Sequence, residues 1–258
     1  MPRFSASLLT MFTELDFLDR FQAVAQSGFK GVEMLHPYPY DKGQLAETVN
    51  SNGLTVVGFC LAGGDFDAGE VGIACLHDRV DEFQDAVGLG IEYAKALGCR
   101  QVVCLSGLAP EGADADLLRE TFVSNLRFAS TELGKAGVRL MIEPVSTRRR
   151  PTIYLQTSAQ ALSVIEEVGS DNLYIEYDVY HMQVMEGDLA ITLQENLGLI
   201  SHIQIADSPG HHEPGTGEIN YTFLLDFLDR IGYDRWVGCE YVPAAGTVEG
   251  LGWMAPYR

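Results

Sequence analysis

The sequence predicts an α/β fold, a single (β/α)8 TIM barrel in which residues 1–258 form one domain. Its 258 residues, 47% of them hydrophobic, match the usual size of one such barrel. Short apolar runs alternate with amphipathic stretches along the whole chain, as in βα units around a parallel sheet. An open doubly wound sheet is the alternative, but no Gly-x-Gly-x-x-Gly motif follows the first run, and eight units suit closure.

Eight apolar runs are predicted to be the strands, and the segments between them to be helices. Two of those segments show helical spacing of apolar residues and close on a glycine, residues 17–25 on Gly28 and residues 224–231 on Gly232. Glycine commonly ends a helix because it adopts positive φ without strain. The predicted strands are residues 4–8, 31–35, 54–59, 101–105, 139–143, 173–178, 200–205 and 236–240.

The composition predicts a cytoplasmic protein whose partner is a small molecule. A formal net charge of −19, from 17 Lys+Arg and 36 Asp+Glu, disfavours nucleic acid as a partner, because a nucleic-acid binder needs a basic face. The first ten residues lack the apolar run of a signal peptide, and no segment approaches the roughly 18 apolar residues of a membrane span. We therefore expect no membrane partner, and a homo-oligomer is compatible with the sequence. The five cysteines lack Cys-x-x-Cys spacing and are predicted to be free thiols.

Polar residues mark the ends of four consecutive predicted strands, at the edge where a barrel carries its active site. They are Glu143, Asp178, Gln204 and Glu240. Apolar residues precede each of them, and a buried carboxylate is costly unless a positive charge meets it. Because these strands hold few basic residues, we predict one divalent metal ion bound by all four side chains. Three carboxylates and one amide oxygen suit Mg or Mn and, with weaker support, Ca, whereas zinc would recruit His or Cys.

The two glutamates of this set are predicted to be the catalytic residues. A metal ion that fixes adjacent carbonyl and hydroxyl oxygens acidifies the C–H beside them. Glu143 and Glu240 could then remove and return the proton, which would interconvert a 2-oxo-3-hydroxy and a 2-hydroxy-3-oxo compound through a cis-enediolate. The alternative is that both glutamates only bind the metal and the base lies elsewhere.

Three further residues are predicted to bind the substrate. His181, three residues after Asp178, can hydrogen-bond a substrate oxygen. Arg148 is the best cation of the 146–150 loop for a substrate carboxylate, which a guanidinium binds in a bidentate manner, and at least one of the loop's three arginines is expected to do so. Glu33, at the end of strand two, can orient a hydroxyl or a metal ligand. Each of these has a purely structural alternative: His181 could be a structural loop histidine, the arginines could lie in a solvated loop, and Glu33 could be a capping carboxylate.

Two more features of the same edge are expected from the strand pattern. Strand alternation places Glu176 and His202 on the inward side, two residues before Asp178 and Gln204. We hypothesise that Glu176 and His202 form a buried pair that supports the metal ligands, with a neutral core histidine as the alternative. The polar loop 207–220, which carries His-His-Glu at 211–213, could be a rim or lid over the site, or simply an exposed loop.

Six segments of the chain carry long, specific motifs. They are EPVSTR at 143–148, YDVYHMQ at 177–183, HIQIAD at 202–207, HEPGTGEINY at 212–221, GCEY at 238–241 and GLGW at 250–253. These motifs resemble the hydroxypyruvate isomerase family, part of the xylose isomerase-like TIM barrel superfamily. The resemblance extends over essentially the whole chain.

The resemblance implies interconversion of hydroxypyruvate and tartronate semialdehyde (2-hydroxy-3-oxopropanoate), within glyoxylate metabolism. It implies that Glu143 and Glu240 are the proton donor and acceptor and that these two, with Asp178 and Gln204, match the metal ligands of the family. Related ketose 3-epimerases have a histidine where Gln204 stands, so the amide favours hydroxypyruvate isomerases.

Other functions stay open at this point. Within the superfamily they are a 2-oxo-tetronate isomerase and a ketose 3-epimerase, which share the enediolate chemistry. Outside it they are a metal-dependent phosphodiesterase or nuclease and a metabolite-binding barrel without catalysis. The net charge and the six scattered histidines disfavour a nuclease, and the presence of both glutamates disfavours pure binding.

Overall fold

The computed structural model describes residues 2–66 and 68–257 of the chain. Within them, eight apolar segments form strands, and each strand end lies within one residue of its predicted position. The strands are β1 (Arg3–Ser7), β2 (Gly31–Met34), β3 (Thr55–Phe59), β4 (Gln101–Cys104), β5 (Arg139–Ile142), β6 (Leu173–Asp178), β7 (Ile200–Ile205) and β8 (Trp236–Cys239).

The strands form one parallel sheet in the order β3-β2-β1-β8-β7-β6-β5-β4. Pairing of β1 with β8 brings the two ends of the chain together, so the outermost strands of this order are β3 and β4. These two meet at a parallel bridge between Cys60 and Val103, where the Leu61 amide donates to the Val103 carbonyl at 2.8 Å. The sheet is thereby a nearly closed barrel, and the predicted (β/α)8 TIM barrel is confirmed.

Helices fill the connections between the strands. The two helices that were predicted to stop at a glycine do so. Gly28 and Gly232 each lie two residues after the end of a helix and have positive φ, +92° and +82°. The helices are α1 (Phe17–Gln26), α2 (Lys42–Ser51), α3 (Val80–Leu97), α4 (Ala115–Lys135), α5 (Ser158–Val168), α6 (Val179–Met185), α7 (Leu189–Glu195) and α8 (Tyr221–Arg230), with 3-10 turns at His77–Arg79 and Glu249–Tyr257.

The apolar core lies mainly between the strands and the surrounding helices. In β6, Ile175 and Tyr177 are buried in the cluster that also holds Val164 of α5 and Leu193 of α7. Because successive strand residues point to opposite faces of a sheet, Glu176 between them points into the barrel. The barrel interior is therefore polar near the ends of the strands, and this polar interior positions the site.

Two expectations from composition also have structural outcomes. All five cysteines are free and buried, as predicted. In the part of the chain that the structure describes, no helix combines the length and the apolar character that crossing a bilayer requires.

Gly88→Ala should raise the free energy of unfolding by about 0.5–1 kcal/mol, because alanine loses less backbone entropy than glycine in a helix. Gly88 lies in the middle of α3 and is exposed, and an added Cβ would meet nothing within 4 Å. Gly90→Ala on the same helix is the control, since its Cβ would lie 2.4 Å from Leu61 Cδ2. Urea unfolding of both variants measures the difference, and equal effects would contradict the packing argument.

Candidate active site

Two cavities lie one above the other at the carboxyl ends of the strands, and Glu143 and Glu240 line both. The outer cavity has a volume of about 330 Å³ and is open to solvent. The inner cavity, of about 30 Å³, reaches down into the barrel to Glu33 and Glu176. The predicted catalytic glutamates thus stand at the level where an open pocket meets a narrow polar interior.

Asp178 and Gln204 supply two buried oxygens that have no partner among the described residues. Asp178 ends β6 and caps α6, where its Oδ1 accepts from the His181 amide at 2.8 Å, but its Oδ2 is unpaired. Gln204 lies opposite Asp178 in the register of β6 and β7, and its Oε1 is also unpaired. A buried polar atom normally has a partner, so two such oxygens on neighbouring strands fit a divalent cation between them.

Glu143 and Glu240 are the first residues after β5 and β8. Burial, followed by the charges of Asp178 and Glu33, raises the pKa of Glu143 well above its ordinary value. Burial and then the charges of Glu143, Glu33 and Asp178 do the same to the pKa of Glu240, with Arg149 opposing the rise. Carboxylates forced together in this way accept a proton or a cation, and both properties suit a proton-transfer site with a metal ion.

His181 faces Glu143 from the first turn of α6. Its Nε2 lies 3.7 Å from Glu143 Oε1, and its Nδ1 lies 3.1 Å from the Ser146 hydroxyl. Ligand atoms of Glu143, Asp178 and His181 all lie within 4.8 Å of one another, a spacing at which they could hold a metal ion. Burial lowers the pKa of His181, so the imidazole is neutral at pH 7 and can hydrogen-bond a substrate oxygen without adding charge.

The inner cluster differs from the hypothesis of a Glu176–His202 pair. Glu176 does lie opposite His202 in the strand register, and ligand atoms of Glu33, Glu176 and His202 lie within 4.8 Å of one another. The imidazole hydrogen bond, however, runs across the barrel to β2, where His202 Nε2 lies 2.5 Å from Glu33 Oε2. Gly238 makes the space, because a Cβ there would lie 2.2 Å from Glu33 Oε1. Glu33, within strand β2, therefore lies at the floor of the site. It is the hydrogen-bond partner of His202, a position that the sequence had suggested for Glu176.

The arginine loop after β5 places Arg149 and Arg150 in the outer cavity, and Arg148 is not among the residues that line it. The amides of Arg149 and Arg150 both donate to the Ser146 carbonyl, at 3.0 and 3.1 Å, which folds the loop back over the site. All three arginines are exposed in that turn, so it is the lining of the cavity that separates Arg149 and Arg150 from Arg148. Arg149 opposes the raised pKa of Glu240 and contributes to the lowered pKa of His181. The geometry thus favours Arg149 over Arg148 as the cation nearest the reacting groups.

Buried hydrogen bonds organise the loop 207–220, which contributes one residue to the lining of the outer cavity. Asp207 is fully buried and accepts from the amides of Ser208, Gly215 and Ile219 at 2.9, 2.8 and 3.1 Å. This network ties the far end of the loop, at Ile219, back to Asp207 just after β7, although seven of the fourteen residues of the loop are exposed. Among its residues, His211 reaches the outer cavity. No role for His211 could be predicted from the sequence beyond a possible rim or lid, because its only signal there is its position in a polar loop after β7.

Comparisons with known proteins agree with the barrel fold. Residues 21–257 match the family model described as xylose isomerase-like TIM barrel. Hydroxypyruvate isomerase of Escherichia coli (strain K12) is 47% identical over 258 residues, 100% of both chains. 2-Oxo-tetronate isomerase of Cupriavidus necator is 44% identical over 257 residues, 100% of this chain and 99% of the relative. The resemblance inferred from the sequence motifs is confirmed.

Solved structures show the same architecture. A protein described as an AP endonuclease of family 2 from Brucella melitensis is 42% identical, has a TM-score of 0.97 and is matched over 100% of both chains. The 3-keto-D-glucoside 4-epimerase of Escherichia coli has a TM-score of 0.83 and covers 99% of this chain and 100% of its own. At 20% identity the second likeness shows the fold alone.

Proposed function

Because the chain belongs to the xylose isomerase-like TIM barrel family, we propose that it is an isomerase that interconverts hydroxypyruvate and tartronate semialdehyde. The observation that carries the proposal is the pair Glu143 and Glu240, which line one cavity together with Gln204, whose Oε1 is unpaired, while Asp178, with its own unpaired Oδ2, lies close to Glu143. Two relatives that match the whole chain, at 47% and 44% identity, are named hydroxypyruvate isomerase and 2-oxo-tetronate isomerase.

Glu143, Asp178, Gln204 and Glu240 would hold one divalent metal ion, and Mg or Mn fits their oxygen ligands. The unpaired Asp178 Oδ2 and Gln204 Oε1 support this assignment. When bound, such an ion neutralises part of the crowded negative charge and acidifies a C–H beside the oxygens that it polarises.

The two glutamates then divide the proton transfer. One removes a hydrogen from C3 of hydroxypyruvate as a proton, the other protonates C2, and the hydroxyl proton passes from O3 to O2, so no atom or electron is lost. His181, neutral and anchored on Ser146, donates a hydrogen bond to one of the two oxygens. Proton transfer by positioned side chains of this kind contributes about 10²- to 10⁴-fold to a rate.

Turnover of hydroxypyruvate by chelator-treated protein, with and without added Mg²⁺ or Mn²⁺, tests the proposal. Metal-restored formation of tartronate semialdehyde is the expected result. A panel with a four-carbon 2-oxo-tetronate and a neutral ketose separates the two alternative isomerases of the superfamily. Failure on hydroxypyruvate with turnover of the tetronate would reassign the substrate, and failure on both acids would overturn the proposed reaction.

Mn²⁺ should raise the Tm of the chelator-treated protein, and by more at about pH 8 than at about pH 5. The raised pKa values of Glu143 and Glu240 mean that protons compete with the metal at low pH. In metal-free protein these groups stabilise the fold below their unfolded pKa, and that contribution is lost as the pH rises through the raised folded pKa. Thermal unfolding at both pH values measures the shift. Asp178→Asn should abolish it, and an equal rise at both pH values would contradict this reasoning.

Arg149→Met should raise KM for hydroxypyruvate by about 10- to 100-fold, the loss expected for a hydrogen bond to a charged group. Arg149 lines the outer cavity and supplies positive charge close to Glu240. Arg148→Met, in the adjacent position that does not line the cavity, is the matched control and should leave KM within about twofold. Steady-state kinetics on both variants decide between the two arginines, and a larger effect at Arg148 would restore the prediction made from sequence.

A nuclease is the second candidate, because the Brucella melitensis structure carries that description. Each possible metal cluster of the described residues contains a single histidine. The net charge of −19 also opposes approach of a phosphate backbone. The site therefore supports the isomerase better.

A further inference from the structure

His211 has a backbone conformation that is unfavourable for a residue with a side chain. Its φ is +58°, in the left-handed region. Two hydrogen bonds hold it there: its amide donates to the Asp207 carbonyl at 2.8 Å, and its carbonyl accepts from the Val242 amide at 2.9 Å. Strained residues of this kind persist where the surrounding structure fixes them, and they concentrate at functional sites.

The His211 side chain lies in the wall of the cavity that the proposed reacting groups also line. The side chain is 5% exposed and lines the outer cavity with Glu143 and Glu240. Its ring packs edge-on against Tyr180, with the ring centroids 4.5 Å apart. Nδ1 of the imidazole is buried and has no partner among the described residues. A buried polar atom normally has a partner, so the unpaired Nδ1 marks a polar position in the wall of the outer cavity, and the cavity-lining part of the ring is the part that a ligand can meet.

The chemistry of that ligand follows from which polar group of the proposed substrate has no partner among the residues assigned so far. Glu143, Glu240 and His181 act on the carbonyl and hydroxyl carbons and oxygens that react. The one remaining polar group of a small oxo-hydroxy acid is its carboxylate. Burial lowers the pKa of His211 to about 4; the charge of Asp178 opposes the shift and the charge of Arg149 adds to it. The ring is therefore neutral at pH 7, keeps one N–H donor, and has a cation nearby.

We propose that His211 donates a hydrogen bond to the substrate carboxylate, so that His211 and Arg149 together form a carboxylate subsite. This inference rests on the proposed function and deepens it. The subsite selects small acids over neutral ketoses of the same size, because it offers one fixed donor and one positive charge to a single anionic group.

Competing ligands that differ in the carboxylate test the subsite. Tartronate carries carboxylates and a hydroxyl, whereas dihydroxyacetone has three carbons and no carboxylate. Inhibition constants for both, with KM for hydroxypyruvate, are measured on wild type, His211→Phe and His211→Asn. Phenylalanine keeps the ring packed against Tyr180 and removes the donor, while asparagine tolerates positive φ and restores an N–H. His77→Phe, at an exposed and remote histidine, is the control.

His211→Phe is expected to raise both KM for hydroxypyruvate and the inhibition constant of tartronate by about 10-fold or more. The inhibition constant of dihydroxyacetone should change by less than about twofold. For His211→Asn, KM and the tartronate constant should lie between those of wild type and His211→Phe. Equal weakening of both ligands, or no weakening, would overturn the subsite while wild-type turnover upholds the isomerase. Absence of wild-type turnover on either acid would overturn the proposed function and the subsite with it. Where His211→Phe does not fold, His211→Gly, which relaxes the backbone, carries the same comparison.

Discussion

Substituting glutamine for Glu240 should lower kcat for hydroxypyruvate isomerisation by about 10²- to 10⁴-fold, the range for loss of a general acid or base. Glutamine keeps the size of the side chain and one oxygen but cannot take or return a proton. Glu240 follows β8, lines both cavities, and has a pKa raised by burial and by Glu143. Turnover, together with exchange of the substrate C–H for deuterium in D₂O, measures the loss.

The control for Glu240→Gln is the same substitution at Glu213. That carboxylate is also buried, but it accepts from the Ala244 amide and does not line either cavity. Glu213→Gln should retain kcat within a few fold. Binding of Mn²⁺ to Glu240→Gln is measured separately, because Glu240 is also a proposed ligand. Retained metal with wild-type exchange would show that the base lies elsewhere.

Glu143→Gln should separate the roles of the two glutamates. If each carbon has its own proton carrier, one variant loses exchange at C3 of hydroxypyruvate and the other loses exchange at C2 of tartronate semialdehyde. The pKa of each glutamate is raised in part by the other or by shared neighbours, so the two titrate as a set. Equal loss in both directions in both variants would contradict a division of labour.

The strands could be located from sequence, and the proposed metal ligands placed at their ends, because both steps depend on short-range patterns. Short apolar runs between amphipathic stretches indicate each strand, and closure of the barrel brings every strand end to one edge. The position of a polar residue at the end of an apolar run was therefore enough to predict that four side chains lie near one another: Glu143, Asp178, Gln204 and Glu240. Register between neighbouring strands was also accessible, since Glu176 does lie opposite His202.

Contacts across the barrel and within loops could not be predicted from the sequence in the same way. The bond from His202 to Glu33 joins β7 to β2, which are not neighbours in the sheet. Its formation depends on how side chains fill the barrel interior, which sequence spacing does not encode. The choice of Arg149 over Arg148 depends on one loop turn at Ser146, and the place of His211 depends on a hydrogen-bond network centred on Asp207.

Gly238→Ala should lower the free energy of unfolding by about 2–5 kcal/mol, the combined scale of overpacking and of a broken buried pair. The added Cβ would lie 2.2 Å from Glu33 Oε1. A surface glutamate would swing aside, but Glu33 is 5% exposed and lies 2.5 Å from His202 Nε2. Displacement therefore separates the pair and leaves His202 fully buried without its partner. Urea unfolding of metal-free protein measures the change.

Gly58→Ala is the matched control, because Gly58 also lies within a barrel strand and its Cβ would meet only ordinary contacts, the nearest being Met141 Cε at 3.8 Å. It should change stability by less than about 1 kcal/mol. A double-mutant cycle identifies the mechanism: in a Glu33→Ala background the clash is absent, so Gly238→Ala should cost much less than in wild type. Additive costs would mean that Gly238 matters for the strand itself, and the glycine would then have no part in placing Glu33 against His202.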